Sequence, residues 1–140
     1  MQLSKNFTLA ELTVTKTGLS NVPGPEEIEK LQWLAEDILQ PIRDKFGAVK
    51  VTSGFRTSEV NFAAGSKSPY SQHTKGEAAD IIPQKARLTE VFDWIAKESG
   101  LFFGQCIIEK GTWIHISLPR QGKPNQQALV SDGKEYRAYA

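Results

Sequence analysis

The sequence predicts an α+β fold: a small, mainly antiparallel sheet with helices packed on one side and an open groove on the other. Three observations predict it. Ile28, Leu31, Leu34, Ile38, Ile42 and Phe46 recur at helical spacing and form one apolar stripe. Two segments of period-two alternation, 105–109 and 113–118, flank the short glycine loop Lys110-Gly111-Thr112 and read as a hairpin. Shorter strand-like segments at 49–52 and 77–82 alternate with short helical ones.

The elements follow in chain order. Thr8 and Glu11 are spaced as a capping box, with Phe7 placed as a hydrophobic staple, so a helix starts there. It is short, because Gly18 and Pro23-Gly24-Pro25 follow. Pro25 opens the longest helix, whose first turn carries Glu26, Glu27 and Glu29 as the helix dipole favours. Pro41 is expected to kink it and Gly47 to end it. Residues 49–52 read as a strand broken at Ser53-Gly54, and 57–64 as a short helix ended by Gly65. The stretch 65–76 is rich in Gly, Ser and Lys and reads as a loop. Residues 77–82 form a strand stopped by Pro83, and 88–99 an amphipathic helix stopped by Gly100.

In the hairpin, pairing 109 with 113 places Cys106, Ile108, Ile114, Ile116 and Leu118 on one apolar face. Gln105, Ile107, Glu109, Trp113, His115 and Ser117 then share the other, which collects a carboxylate and an imidazole. The polar tail after Pro119 is expected to end in a small ribbon, 128–130 with 136–139, turning at Asp132-Gly133.

The length of 140 residues fits one domain, 1–140. The 17 basic and 16 acidic side chains leave a net charge of +1, so no basic field points to nucleic acid. No apolar run approaches the roughly 20 residues of a membrane span, and the N-terminus has no apolar signal region. The expectation is a monomer made in the cytoplasm that acts elsewhere only if released. The single cysteine, Cys106, excludes a disulfide framework and reads as a core residue.

The chain has two histidines, His73 and His115. A catalytic zinc takes three protein ligands from His, Asp or Glu and leaves one position open. Asp80 sits in an otherwise apolar strand, where a carboxylate needs a partner. A metal held by His73, Asp80 and His115 answers that need. So do a surface His73, a salt-bridged or capping Asp80, and a His115 with one hydrogen bond.

The residues Ser53-Gly54-Phe55-Arg56-Thr57, then Asn61, then Ser71-Gln72-His73-Thr74-Lys75-Gly76-Glu77-Ala78-Ala79-Asp80-Ile81, then Trp113-Ile114-His115-Ile116-Ser117 resemble the M15 family of zinc D-Ala-D-Ala carboxypeptidases and endopeptidases. The likeness is to its short phage and bacterial members and covers about residues 5–118, leaving 119–140 as a C-terminal extension. It implies one zinc ion in an open groove, held by His73, Asp80 and His115. It implies that Arg56 faces the substrate and steadies charge on the scissile carbonyl, and that Ser71 lies near the substrate. Gly54 and Gly76 look like backbone requirements.

Several family members carry an acid three residues before the last histidine, where this chain has Thr112. Glu109 is the substitute, placed as in the short members and in the related hedgehog domain. Strand parity puts Glu109 diagonal to His115 on one face, which suits a catalytic base. Glu77 is the fallback, with its parity against it. Trp113 and Tyr70 are candidate cleft walls. The implied activity is hydrolysis of a peptidoglycan amide, in the stem peptide or cross-bridge, in the manner of a phage endolysin. The alternative is a zinc-containing binding module without hydrolysis.

Overall fold

The computed structural model describes residues 1–66, 68 and 70–139. Lys67 and Pro69, within the expected loop 65–76, lie outside the described residues, as does Ala140.

Six strands form one sheet: β1 (Val49–Ser53), β2 (Ala78–Pro83), β3 (Gln105–Glu109), β4 (Trp113–Ser117), β5 (Gln127–Ser131) and β6 (Tyr136–Ala138). Their order is β1-β2-β4-β3-β5-β6. Every neighbouring pair is antiparallel except β3 with β5, which is parallel. The helices are α1 (Pro25–Leu34), α2 (Gln40–Phe46), α3 (Ser58–Ala63) and α4 (Leu88–Asp93). The α+β class and the open, mostly antiparallel sheet agree with expectation. Among the described residues, no helix is long and apolar enough to cross a membrane.

The predicted capping box forms: the Thr8 N–H donates to Glu11 Oε1 and the Glu11 N–H to Thr8 Oγ1, both at 3.2 Å. The helix it opens is one 3₁₀ turn, Glu11–Thr13, and Phe7 beneath it is buried. The long helix starts at Pro25, where the Gly24 N–H donates to Glu27 Oε1 at 2.9 Å. Between α1 and α2 it passes through one π turn, Ala35–Leu39, whose wider ladder has the Gln40 N–H donating to the Ala35 carbonyl. The turn lies just ahead of Pro41, which has no N–H to give and whose ring crowds the carbonyl four residues back. The kink expected at Pro41 is thus a register change that keeps the helix going. Leu31, Leu34, Ile38 and Ile42 bury the predicted stripe, and Phe46 packs at its edge.

The hairpin has the predicted register, Glu109 opposite Trp113 and Cys106 opposite Ile116. Cys106, Ile108, Ile114, Ile116 and Leu118 join the core against α1, α2 and α4. Burial pushes the Cys106 thiol pKa up, so it stays a thiol and an apolar core group.

Two features go beyond the sequence reading. The register of β1 against β2 shifts between Val51 and Ser53, so Ser53 pairs with Asp80. An extra residue in one strand reverses the alternation, and it turns Ser53 from the core face to the face of Asp80. The C-terminal ribbon forms as expected, Val130 opposite Arg137. It also docks beside β3, with Glu109 opposite Ser131, and becomes part of the sheet.

Candidate metal centre and groove

Strand pairing assembles the site. Asp80 of β2 lies opposite His115 of β4, and His115 lies opposite Ile107 of β3. These residues share the sheet face opposite the core that α1, α2 and α4 cover. His73 arrives from the 3₁₀ turn Gln72–Lys75, which Ser71 caps by accepting from the His73 N–H at 3.2 Å. Gly76 ends that turn at φ +75°, and a Cβ there would stand 2.5 Å from the Glu27 carbonyl oxygen. Only glycine satisfies both the left-handed backbone and that approach. At Gly54 a Cβ would collide with the Leu12 carbonyl, and the next residue, Phe55, donates its N–H to the same carbonyl at 2.8 Å.

His73 is buried, and its Nδ1 lies 2.7 Å from the Gly54 carbonyl oxygen. A carbonyl only accepts, so Nδ1 carries the proton and Nε2 presents a lone pair to the site. Burial lowers the His73 pKa below its ordinary value, against the pull of Asp80, and favours that neutral ring. His73 Nε2 stands 3.4 Å from Asp80 Oδ1, and His115 Nδ1 stands 3.1 Å from the same oxygen. Burial alone would raise the Asp80 pKa, but the two imidazoles outweigh it and hold the carboxyl well below the usual range.

Three donor atoms, one from each residue, lie within 4.8 Å of one another. Donors about 2.1 Å from a tetrahedral ion sit about 3.4 Å apart. Two imidazole nitrogens and one carboxylate oxygen at 3.1 and 3.4 Å therefore suit a divalent cation such as zinc. The sequence-predicted ligands are brought together as a set that could hold a metal.

Arg56 is fixed at three points. Its Nε donates to Ser53 Oγ at 2.9 Å, Nη1 to Asn61 Oδ1 at 3.3 Å, and Nη2 to Asp80 Oδ2 at 3.4 Å. Burial lowers its pKa and Asp80 opposes the shift. A guanidinium has five N–H groups, and two of them have no partner among the described residues. Asn61 in turn donates to the Ser68 carbonyl at 3.0 Å. Its place in the motif was visible in the sequence but its job was not, and the Ser53 contact depends on the bulge.

These side chains open into one groove of about 640 Å³, also lined by Ser71, Gln105, Glu109, Trp113, Tyr70 and Tyr136. Glu109 is half-buried and lies diagonal to His115 as parity predicts. Burial is the main cause raising its pKa and Asp80 adds to it, while His115 and Lys110 oppose. Glu77 is occupied elsewhere, accepting from Lys30 Nζ at 2.8 Å and from Gln72 Nε2 at 3.4 Å. Gln105, Arg120 and Tyr136 were not singled out in the sequence. Gln105 had a face assignment that could have found it, whereas Tyr136 enters through the docking of β5 on β3, for which the local pattern carries no signal.

A family model described as Peptidase M15 matches residues 5–117. No curated protein matches the chain.

Proposed function

The chain belongs to the peptidase M15 family, and we propose from that premise that it is a zinc-dependent peptidoglycan peptidase that hydrolyses an amide of the stem peptide or cross-bridge. Peptidases of this family are metal-dependent, and the observation that carries the reading here is the convergence of His73, Asp80 and His115 in an open groove beside Glu109. In this reading Zn²⁺ would be held by His73, Asp80 and His115. When bound, it polarises an amide carbonyl and a water molecule.

The protein's own groups do the rest. Glu109 accepts the proton of the attacking water and hands it to the departing amine nitrogen. Burial is the main cause raising its pKa, which makes it a stronger base toward that water. Arg56 offers its two free N–H groups to the amide oxygen as negative charge grows there, and its three anchors hold it ready. The Ser71 oxygen is engaged in capping, which leaves its hydroxyl hydrogen available to an acceptor on the peptide. The setting this reading favours is an endolysin of the phage type, acting on the wall from within.

The test is release of new amino groups from purified peptidoglycan. We expect release by the zinc-loaded chain, its loss with a chelator and its return with added zinc. A zinc-loaded chain that releases nothing from walls of several chemotypes contradicts the reading and leaves a binding module in its place.

A further inference from the structure

Four residues form one row across the sheet. Trp113 of β4 lies opposite Glu109 of β3, Glu109 opposite Ser131 of β5, and Ser131 opposite Tyr136 of β6. Directly paired residues project to the same face. Trp113, Glu109 and Tyr136 accordingly all line the groove. Between the two larger side chains stands Ser131, small and buried, its oxygen accepting from the Gly133 N–H at 3.1 Å. Tyr136 stands two strand spacings beyond Glu109, about 10 Å along the sheet. Burial, and next the Glu109 charge, raise its phenol pKa.

Tyr136 is nonetheless 60% exposed, and its ring stacks on no other aromatic among the described residues. A bare aromatic face in a groove is a contact surface awaiting a ligand. The strand order says which part of the ligand. Arg56 follows β1 at one side of the sheet, Asp80 and His115 come next, then Glu109, and Tyr136 is on the far edge strand. A base that returns its proton to the leaving nitrogen must have that nitrogen within hydrogen-bond reach. The amine half of the substrate therefore leaves the reaction centre on the Glu109 side, toward β5 and β6.

We propose that the C-terminal hairpin β5–β6, which lies outside the family-matched residues, is the wall that holds the amine-side half of the peptide substrate, with Tyr136 as its contact residue. This rests on the peptidase reading with Glu109 as base. The ring packs on the substrate residues that follow the scissile amide, so it acts on selectivity rather than on bond breaking.

The experiment uses the full chain loaded with zinc and two synthetic stem peptides with the same scissile amide. One has a single residue after that bond, and the other is extended by two more. Wild type should show the higher kcat/KM on the extended peptide. Tyr136→Ala should cut that preference about fivefold to tenfold, mainly through KM, and Tyr136→Phe should retain most of it. Arg137→Ala, one position along and on the opposite face, should keep the wild-type ratio and folds as the control for the hairpin. An unchanged ratio in Tyr136→Ala, or an equal fall in Arg137→Ala, overturns this inference while the peptidase reading stands. Cleavage of neither peptide by wild type overturns both.

Discussion

Asp80 shares its carboxylate between two neighbourhoods: Oδ1 faces the imidazoles of His73 and His115, and Oδ2 faces the Arg56 guanidinium. Arg56 is therefore both a salt-bridge partner and a donor with N–H groups to spare. Arg56→Lys separates the two roles, because an ammonium keeps the charge and loses the fork. It should lower kcat about 10² to 10³-fold with zinc content unchanged by metal analysis; zinc lost in step with activity would make Arg56 a support for the ligand alone. The titrating groups set a pH dependence for the metal-free protein. His73 has a folded pKa below its unfolded value of about 6.5. The unfolded chain then binds the proton first, so stability is full above about pH 6.5 and is lost as pH falls toward the folded pKa. Asp80, also depressed, acts in the same sense below its unfolded value of about 3.9. Chelated protein should melt lower at pH 5 than at pH 7.5; an equal or higher melting temperature at pH 5 contradicts the neutral buried His73.

At the scale of elements, the 3₁₀ turn that carries His73 depends on a close approach to α1. Gly76→Ala combines a backbone at φ +75° with a Cβ 2.5 Å from the Glu27 carbonyl oxygen. The cost should be about 2 kcal/mol or more, read as a lower denaturation midpoint, and zinc affinity should fall as the turn shifts. A neutral Gly76→Ala would mean that the turn tolerates a different path. The elements legible in the sequence were those written in local periodicity: the stripe of the long helix, the hairpin register from a three-residue loop, and the face shared by Glu109 and His115. The bulge that turns Ser53 toward Asp80 was not legible, because Val49-Lys50-Val51-Thr52-Ser53 continues the alternation without a break. The parallel docking of β5 on β3 was not legible either, since it joins segments separated by β4 and a loop, and it left Tyr136 out of the expected site. The grouping of His73, Asp80 and His115 was suggested by motif resemblance, while two histidines and an aspartate alone left several readings open.

At the scale of the whole molecule, the sheet separates stability from chemistry. One face is apolar and packed on α1, α2 and α4, and the other carries the groove, with α3 beside it. The His73, Asp80 and His115 donors come from three segments and exist as a set only in the folded chain, so a metal that binds them adds its binding free energy to folding. Zinc at a hundredfold excess over Kd should stabilise the fold by about 2.7 kcal/mol, seen as a rise in Tm that Asp80→Ala abolishes; no zinc-dependent rise would argue against the ligand set. The most direct test of the account is turnover and zinc stoichiometry measured together in Glu109→Gln, on peptidoglycan. Glu109→Gln should keep one zinc per chain, as in the wild type, with amine release reduced about 10² to 10⁴-fold. Near wild-type release from zinc-loaded Glu109→Gln would show that another group moves the proton and would contradict Glu109 as the base.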